Sequence, residues 1–113
     1  MLKSFAEIKA LAKPHTAVVN VEQWCGEVTV REMTVDELLV FRQSESINKE
    51  EQEAQALVAA VECSVIDETG QQILKGQTEW LRMQPASVLK VIAETALKLS
   101  GATPQQVDAQ TKN

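Results

Sequence analysis

The chain has 113 residues, enough for one domain of ordinary size. Hydrophobic residues make up 44% and charged residues 24%, the balance of a folded globular chain, which excludes a disordered polymer, a collagen-like repeat and a disulfide-dense scaffold. Lys and Arg number 11 against 16 Asp and Glu, a net charge of −5 with no basic run, which argues against a nucleic-acid binder because the phosphate backbone requires clustered cations.

Ser4-Phe5-Ala6-Glu7 fits a capping box, and Leu2, Phe5, Ile8 and Leu11 recur every three residues. A short helix over about 5–12, ended by Pro14, and an amphipathic arm (1–14) that orders on a partner are both consistent with this segment. Residues 16–33 then change period. Thr16–Trp24 is rich in β-formers, and Glu27–Met33 alternates, with Val28 and Val30 on one face and Thr29 and Arg31 on the other. Cys25-Gly26 lies between them, and Gly26 is expected to supply the positive φ of a tight hairpin turn. A hairpin over about 17–32 is predicted, and it must pack on helices or pair with another chain, since a lone hairpin is marginal in water.

Thr34-Val35-Asp36-Glu37 is a second capping box and opens a helix expected over about 35–46, with Ser44–Asn48 fraying it. Ala54, Leu57, Val58, Val61 and Val65 form a 3.6-residue stripe, predicting a helix over about 49–64; one bent helix over 35–64 is the alternative. Asp67–Gly70 reads as a turn, within a second minihairpin or an ordered loop. Gln77–Met83 is expected to form a helical turn halted by Pro85. Val88, Leu89, Ile92, Ala96 and Leu99 stripe the next helix, widened by Val91 and closed by Ser100-Gly101. The fold class is therefore α+β and mostly helical, with the hairpin packed on three or more helices: one globular domain over 1–100 and a polar tail over 101–113. The expected core is Val28, Val30, Leu38, Leu57, Val61, Leu89, Ile92 and Ala96.

The chain is poor in catalytic material. It has one histidine, His15, following a proline, and two cysteines, Cys25 and Cys63, that form no CxxC pair. Three such residues at irregular spacing do not make a zinc site, and four scattered glycines make no phosphate-cradling loop. Glu50, Glu51 and Glu53 read as a solvated helix start favoured by the helix dipole. No catalytic, metal or cofactor-binding residue is assigned, and the chain is read as a non-enzyme. No apolar stretch approaches the ~20 residues that span a bilayer, so no membrane role is expected. The N-terminal residues Met1–Glu7 lack an apolar signal core, so the expected location is the cytoplasm, with both thiols reduced. Trp24 at the hairpin turn, with Trp80 and Met83 between weak elements, are the candidate partner-binding residues, because tryptophan is enriched at interface hot spots and turns are exposed. The competing reading is that both tryptophans cap the domain core.

The order of elements resembles the small tail assembly chaperones of lambda-like long-tailed bacteriophages. The likeness is carried by the strand–turn–strand–acidic helix start in Val21-Glu22-Gln23-Trp24-Cys25-Gly26-Glu27-Val28-Thr29-Val30-Arg31-Glu32-Met33-Thr34-Val35-Asp36-Glu37. The later Leu57-Val58-Ala59-Ala60 helix followed by Val65-Ile66-Asp67-Glu68-Thr69-Gly70 is similar too, and the resemblance covers about residues 15–100. It implies a protein that binds and shields the tape measure protein, helps recruit tail tube subunits, acts in the cytoplasm of the infected host and is absent from the mature virion. Shielding an elongated partner implies self-association. The alternatives are a small virion tail structural or completion protein and a generic cytoplasmic protein-interaction domain. The family also implies a longer form made by ribosomal frameshifting. Thr111-Lys112-Asn113 can be encoded by ACA-AAA-AAC, which contains a heptamer on which both tRNAs re-pair after a one-base backward slip.

Overall fold

The computed structural model describes residues 1–42 and 49–101. The expected fraying at Ser44–Asn48 and the tail beyond Gly101, including the Thr111–Asn113 reading, lie outside the described residues. The elements run α1 (Phe5–Leu11), β1 (Thr16–Val21), a 3₁₀ turn (Glu22–Trp24), β2 (Gly26–Arg31), α2 (Val35–Arg42), α3 (Lys49–Ser64), β3 (Val65–Ile66), α4 (Thr78–Arg82) and α5 (Ala86–Leu99). The fold is α+β, as the period switch predicts.

β1 and β2 pair antiparallel with Ala17 opposite Val30 and Val19 opposite Val28, and β3 pairs with β2 through Val65 opposite Val30 and Ile66 opposite Thr29. The sheet order is β1-β2-β3. Opposed residues share a face, so Ala17, Val19, Val21, Val28, Val30 and Val65 line one side. That side packs against α5, and α3 in turn packs on α5, α2 and α4. Val30, Val61, Val65, Leu81, Ile92 and Ala96 are fully buried where these layers meet. Of the expected core, Val30, Val61, Leu89, Ile92 and Ala96 are buried, whereas Val28, Leu38 and Leu57 are only partly buried against its margin. Their positions explain this: Val28 lies toward the hairpin end, and Leu57 opens onto a groove that α2 does not close.

The hairpin turn departs from the sequence expectation. Gly26 opens β2 in ordinary extended register with Val21, and the left-handed residue is Cys25, at φ 56°. The Glu22–Trp24 turn uses up the available residues, so the reversal falls one position before the glycine; the Cys25 N–H donates to the Glu22 carbonyl at 3.0 Å. A non-glycine side chain in this region costs about 1–2 kcal/mol. The Asp67–Gly70 turn forms as read: the Asp67 carboxylate accepts from the Thr69 and Gln71 N–H groups at 2.8 and 3.0 Å, and Gly70 takes φ 89°. It belongs to a minihairpin, because Ile66 bridges to Gln72.

Of the two expected capping boxes, the one at Thr34–Glu37 closes in full and the one at Ser4–Glu7 only by half. Ser4 Oγ accepts from the Glu7 N–H at 3.2 Å, but the Glu7 carboxylate reaches the Lys3 N–H rather than that of Ser4. Around α2 the exchange is reciprocal: Thr34 Oγ1 accepts from the Glu37 N–H at 3.2 Å, and Glu37 Oε1 accepts from the Thr34 N–H at 2.8 Å. α5 is strongly amphipathic, with Val88, Leu89, Ile92, Ala93, Ala96 and Leu97 buried and Val91 half-exposed. Gly101 follows it at φ 84°, the glycine stop read from the sequence. The Met33 N–H donates to Ser100 Oγ at 2.8 Å, which ties the exit of β2 to the end of α5.

Candidate partner-binding surface

Trp24 ends the 3₁₀ turn, and Trp80 lies on α4, 56 positions along the chain. The fold brings them together, with ring centroids 5.7 Å apart and planes tilted by 39°. This is the spacing at which aromatic pairs attract beyond simple burial. Trp24 is half-buried against the core margin, and its indole N–H donates to Gln84 Oε1 at 2.9 Å. Its polar edge is thereby satisfied and its ring orientation fixed. Trp80 is 47% exposed and carries the outer surface of the pair.

α4 is short, and its position depends on tethers. Leu81 is fully buried and anchors it inward. Glu62 of α3 accepts from the Thr78 hydroxyl and from the Gly76 N–H, and Arg82 pairs with Glu51 at 2.8 Å. Glu51 is thus half of an ion pair to α4 as well as part of the acidic start of α3. Met83 follows α4 with its N–H on the Trp80 carbonyl at 3.1 Å, and its side chain is 83% exposed. The three sequence-predicted residues therefore converge unevenly. Trp24 and Trp80 meet as a tilted pair, and Met83 is joined to Trp80 alone, through the backbone. Trp24 serves the core margin and the surface at once; Trp80 and Met83 present apolar area to solvent.

A polar cluster on the other side of β2 was not legible in the sequence. Arg31 donates through Nη1 and Nη2 to the two oxygens of Glu37, both at 2.8 Å, and through Nη1 to the Glu32 carbonyl at 2.8 Å. Gln72 Nε2 donates to Glu37 Oε2 at 3.2 Å and to the Cys63 carbonyl at 3.0 Å. Burial alone raises the Glu37 pKa, but the bonds from Arg31 and Thr34 outweigh it and hold the carboxyl below its usual range. Glu37 also raises the Arg31 pKa through the same paired bonds. This arrangement fastens β2, α2 and the β3 minihairpin together. The Thr34-x-x-Glu37 box gave its helix half away, but Gln72, 35 residues on, carries no local signal.

Burial pushes the Cys63 thiol up to about 11, whereas Cys25 is exposed. The His15 N–H donates to Glu32 Oε1 at 2.9 Å, at the open end of the β1–β2 ladder. Among the described residues, no group of three or more His, Cys, Asp or Glu is placed to hold a metal ion, and no helix is long and apolar enough to cross a membrane.

No protein-family model matches the chain, and no curated protein does. Among solved structures it is similar to the tail assembly chaperone of bacteriophage HK97, with a TM-score of 0.59 and 23% identity over 83% of this chain and 95% of that one. The match takes in nearly the whole of the other chain, and it agrees with the resemblance read from Val21–Glu37. At this level of identity the correspondence is one of architecture: the chain has the fold of a phage tail assembly chaperone.

Proposed function

We propose that this chain is a non-enzymatic tail assembly chaperone of a long-tailed bacteriophage, which binds and shields the tape measure protein in the host cytoplasm and helps recruit tail tube subunits. The observation that carries the reading is the shared fold, at a TM-score of 0.59 over 95% of the HK97 chaperone. The Trp24–Trp80 pair and Met83 supply a physical means. An amphipathic helix of a partner is recognised by laying its apolar face on an exposed apolar surface, and rigid aromatic anchors lose little entropy on binding. Trp80 and Met83 offer such a surface, on a helix anchored by the buried Leu81 and beside a Trp24 ring that Gln84 holds in place.

Co-expression with the tape measure protein of the same phage tests the reading. The expected result is a soluble complex that captures both chains, with Trp80→Ala and Met83→Ser weakening capture while the melting temperature changes little. Equal capture by the double variant moves the partner surface elsewhere. Mass spectrometry of purified virions separates the chaperone from a tail structural protein: a chaperone leaves the particle, and finding this chain there at stoichiometric levels refutes the chaperone reading.

A further inference from the structure

The two edges of the β1-β2-β3 sheet are finished differently. Beyond β3 the edge is closed: Ile66 bridges to Gln72, and the Ile73 N–H donates to the Val65 carbonyl at 3.3 Å. Beyond β1 it is open. The Glu32 N–H donates to the His15 carbonyl at 2.9 Å, and in an antiparallel ladder the hydrogen-bonded positions alternate. Ala17, Val19 and Val21 therefore turn their N–H and C=O groups toward β2, while Thr16, Val18 and Asn20 turn theirs outward. None of those outward groups has a hydrogen-bond partner among the described residues.

Natural sheets guard such an edge with lysine, proline or a bulge. β1 has none of the three. Thr16–Val21 carries no charge and no proline, its register with β2 is unbroken, and Val18 is 63% exposed. The chemistry around the strand says what the edge accepts. Only extended backbone presents donors and acceptors at the spacing of this row. Opposed residues share a face, so Val18, Thr29 and Ile66 form a row across the outer side of the sheet. That row opens into a trough of about 470 Å³ rimmed by Glu27 and Glu68. Neither carboxylate has an ion-pair partner among the described residues. Glu27 lies opposite Asn20. A residue added beside Asn20 is two strand spacings from it, about 10 Å, a gap that a lysine and a glutamate side chain span together. Lys13 precedes the other end of the strand, so a cation fits the Asn20 end.

We propose that the free edge of β1 receives an extended segment of a partner protein as a fourth, antiparallel strand, paired through Thr16, Val18 and Asn20, with an apolar residue beside Val18 and a lysine or arginine turned to Glu27. A second copy fits poorly, since its own β1 brings no cation to Glu27. The inference goes beyond the chaperone reading and does not rest on it. The Trp24–Trp80 surface suits a helix and the β1 edge an extended chain, so one molecule can hold two partners.

Amide NMR of the full chain titrated with the hexapeptide acetyl-Thr-Lys-Thr-Val-Val-Thr-amide tests this. Saturable shifts are expected at Thr16, Val18 and Asn20. Val18→Pro removes one outward N–H and no ladder bond, a place where strands tolerate proline. It is expected to keep the β1–β2 pairing and to weaken the peptide at least about tenfold; if it lowers the melting temperature, Val18→Lys at the same exposed site replaces it. Of two peptides N-methylated on alternate residues, only one is expected to bind. Exchanging the peptide lysine for glutamate should weaken binding about threefold or more. No saturation by about 1 mM, shifts centred elsewhere, equal behaviour of the two methylated peptides, or equal binding of the glutamate version overturns the proposal. So does a wild-type oligomer that Val18→Pro dissociates, which places a second copy on the edge. Tape measure capture is read separately. A chain that captures tape measure but not the peptide refutes the edge contact alone; one that takes the peptide but captures no tape measure refutes the proposed function alone.

Discussion

Removing the Glu37 carboxylate should unfasten three elements at once. In Glu37→Ala, Arg31 loses two charge-assisted bonds at 2.8 Å, the Thr34 N–H loses its cap, and Gln72 loses one of its two acceptors. The pair is shielded, with side-chain exposure of 12% for Arg31 and 20% for Glu37, so water replaces the lost partner poorly. A hydrogen bond to a charged group contributes about 1.5–3 kcal/mol, and a capping interaction about 1 kcal/mol. Arg31 retains the Glu32 carbonyl, which limits the loss to about 2–4 kcal/mol. Urea unfolding followed by circular dichroism measures this as a lower midpoint at unchanged slope. The pH dependence gives a second readout. Glu37 has a lower pKa folded than unfolded, so its contribution is fully present above the unfolded value near 4.3 and is lost as pH falls through the folded value. Glu37→Gln should therefore lose stability at neutral pH and show a shallower decline in acid than the wild type. A loss under about 0.5 kcal/mol, or additive effects of Arg31→Ala and Glu37→Ala in a double-mutant cycle, would refute the reasoning.

Four further outcomes are expected. Ile92→Ala, at a fully buried site, should cost about 2–5 kcal/mol in urea unfolding, and Leu57→Ala distinctly less, because Leu57 already faces the groove. Cys25→Gly should be neutral or stabilising by up to about 1 kcal/mol and Cys25→Val destabilising, since φ 56° suits only the glycine; the reverse order in thermal melts would count against a left-handed Cys25. Ser64 is fully buried and its hydroxyl has no partner among the described residues, so Ser64→Ala should leave the midpoint unchanged or raise it. Thiol titration of the native chain at pH 8 should show one fast equivalent, Cys25, and one slow equivalent, Cys63, with the slow one released only on unfolding or as pH approaches 11.

What the sequence made legible was local. Period two in Glu27–Met33, the stripe from Ala54 to Val65, and the capping residues Thr34 and Gly101 each act within a few positions, and their elements form where the pattern places them. The Val88–Leu99 stripe works the same way, because the side that α5 buries is set by its own spacing. What stayed hidden depends on contacts between distant segments. The 56-residue separation of Trp24 and Trp80 closes only once α4 is tethered through Glu62 and Leu81. Val28, Leu38 and Leu57 have the chemistry of core residues, and periodicity cannot tell a filled margin from an open one. Gly26 was the natural choice for the reversal, but the 3₁₀ turn before it shifted the left-handed position onto Cys25, a choice set by loop length rather than propensity.

Tryptophan emission measures the central claim most directly, because the chain's two tryptophans form the proposed partner surface themselves. The full chain is titrated with a tryptophan-free helical segment of the cognate tape measure protein. Burial of the half-exposed Trp80 predicts a saturable blue shift, abolished in Trp80→Phe/Met83→Ser and absent with an unrelated amphipathic helix. Saturable binding with no change in emission would remove the partner from this surface, and no binding by calorimetry at any concentration would contradict the chaperone account itself.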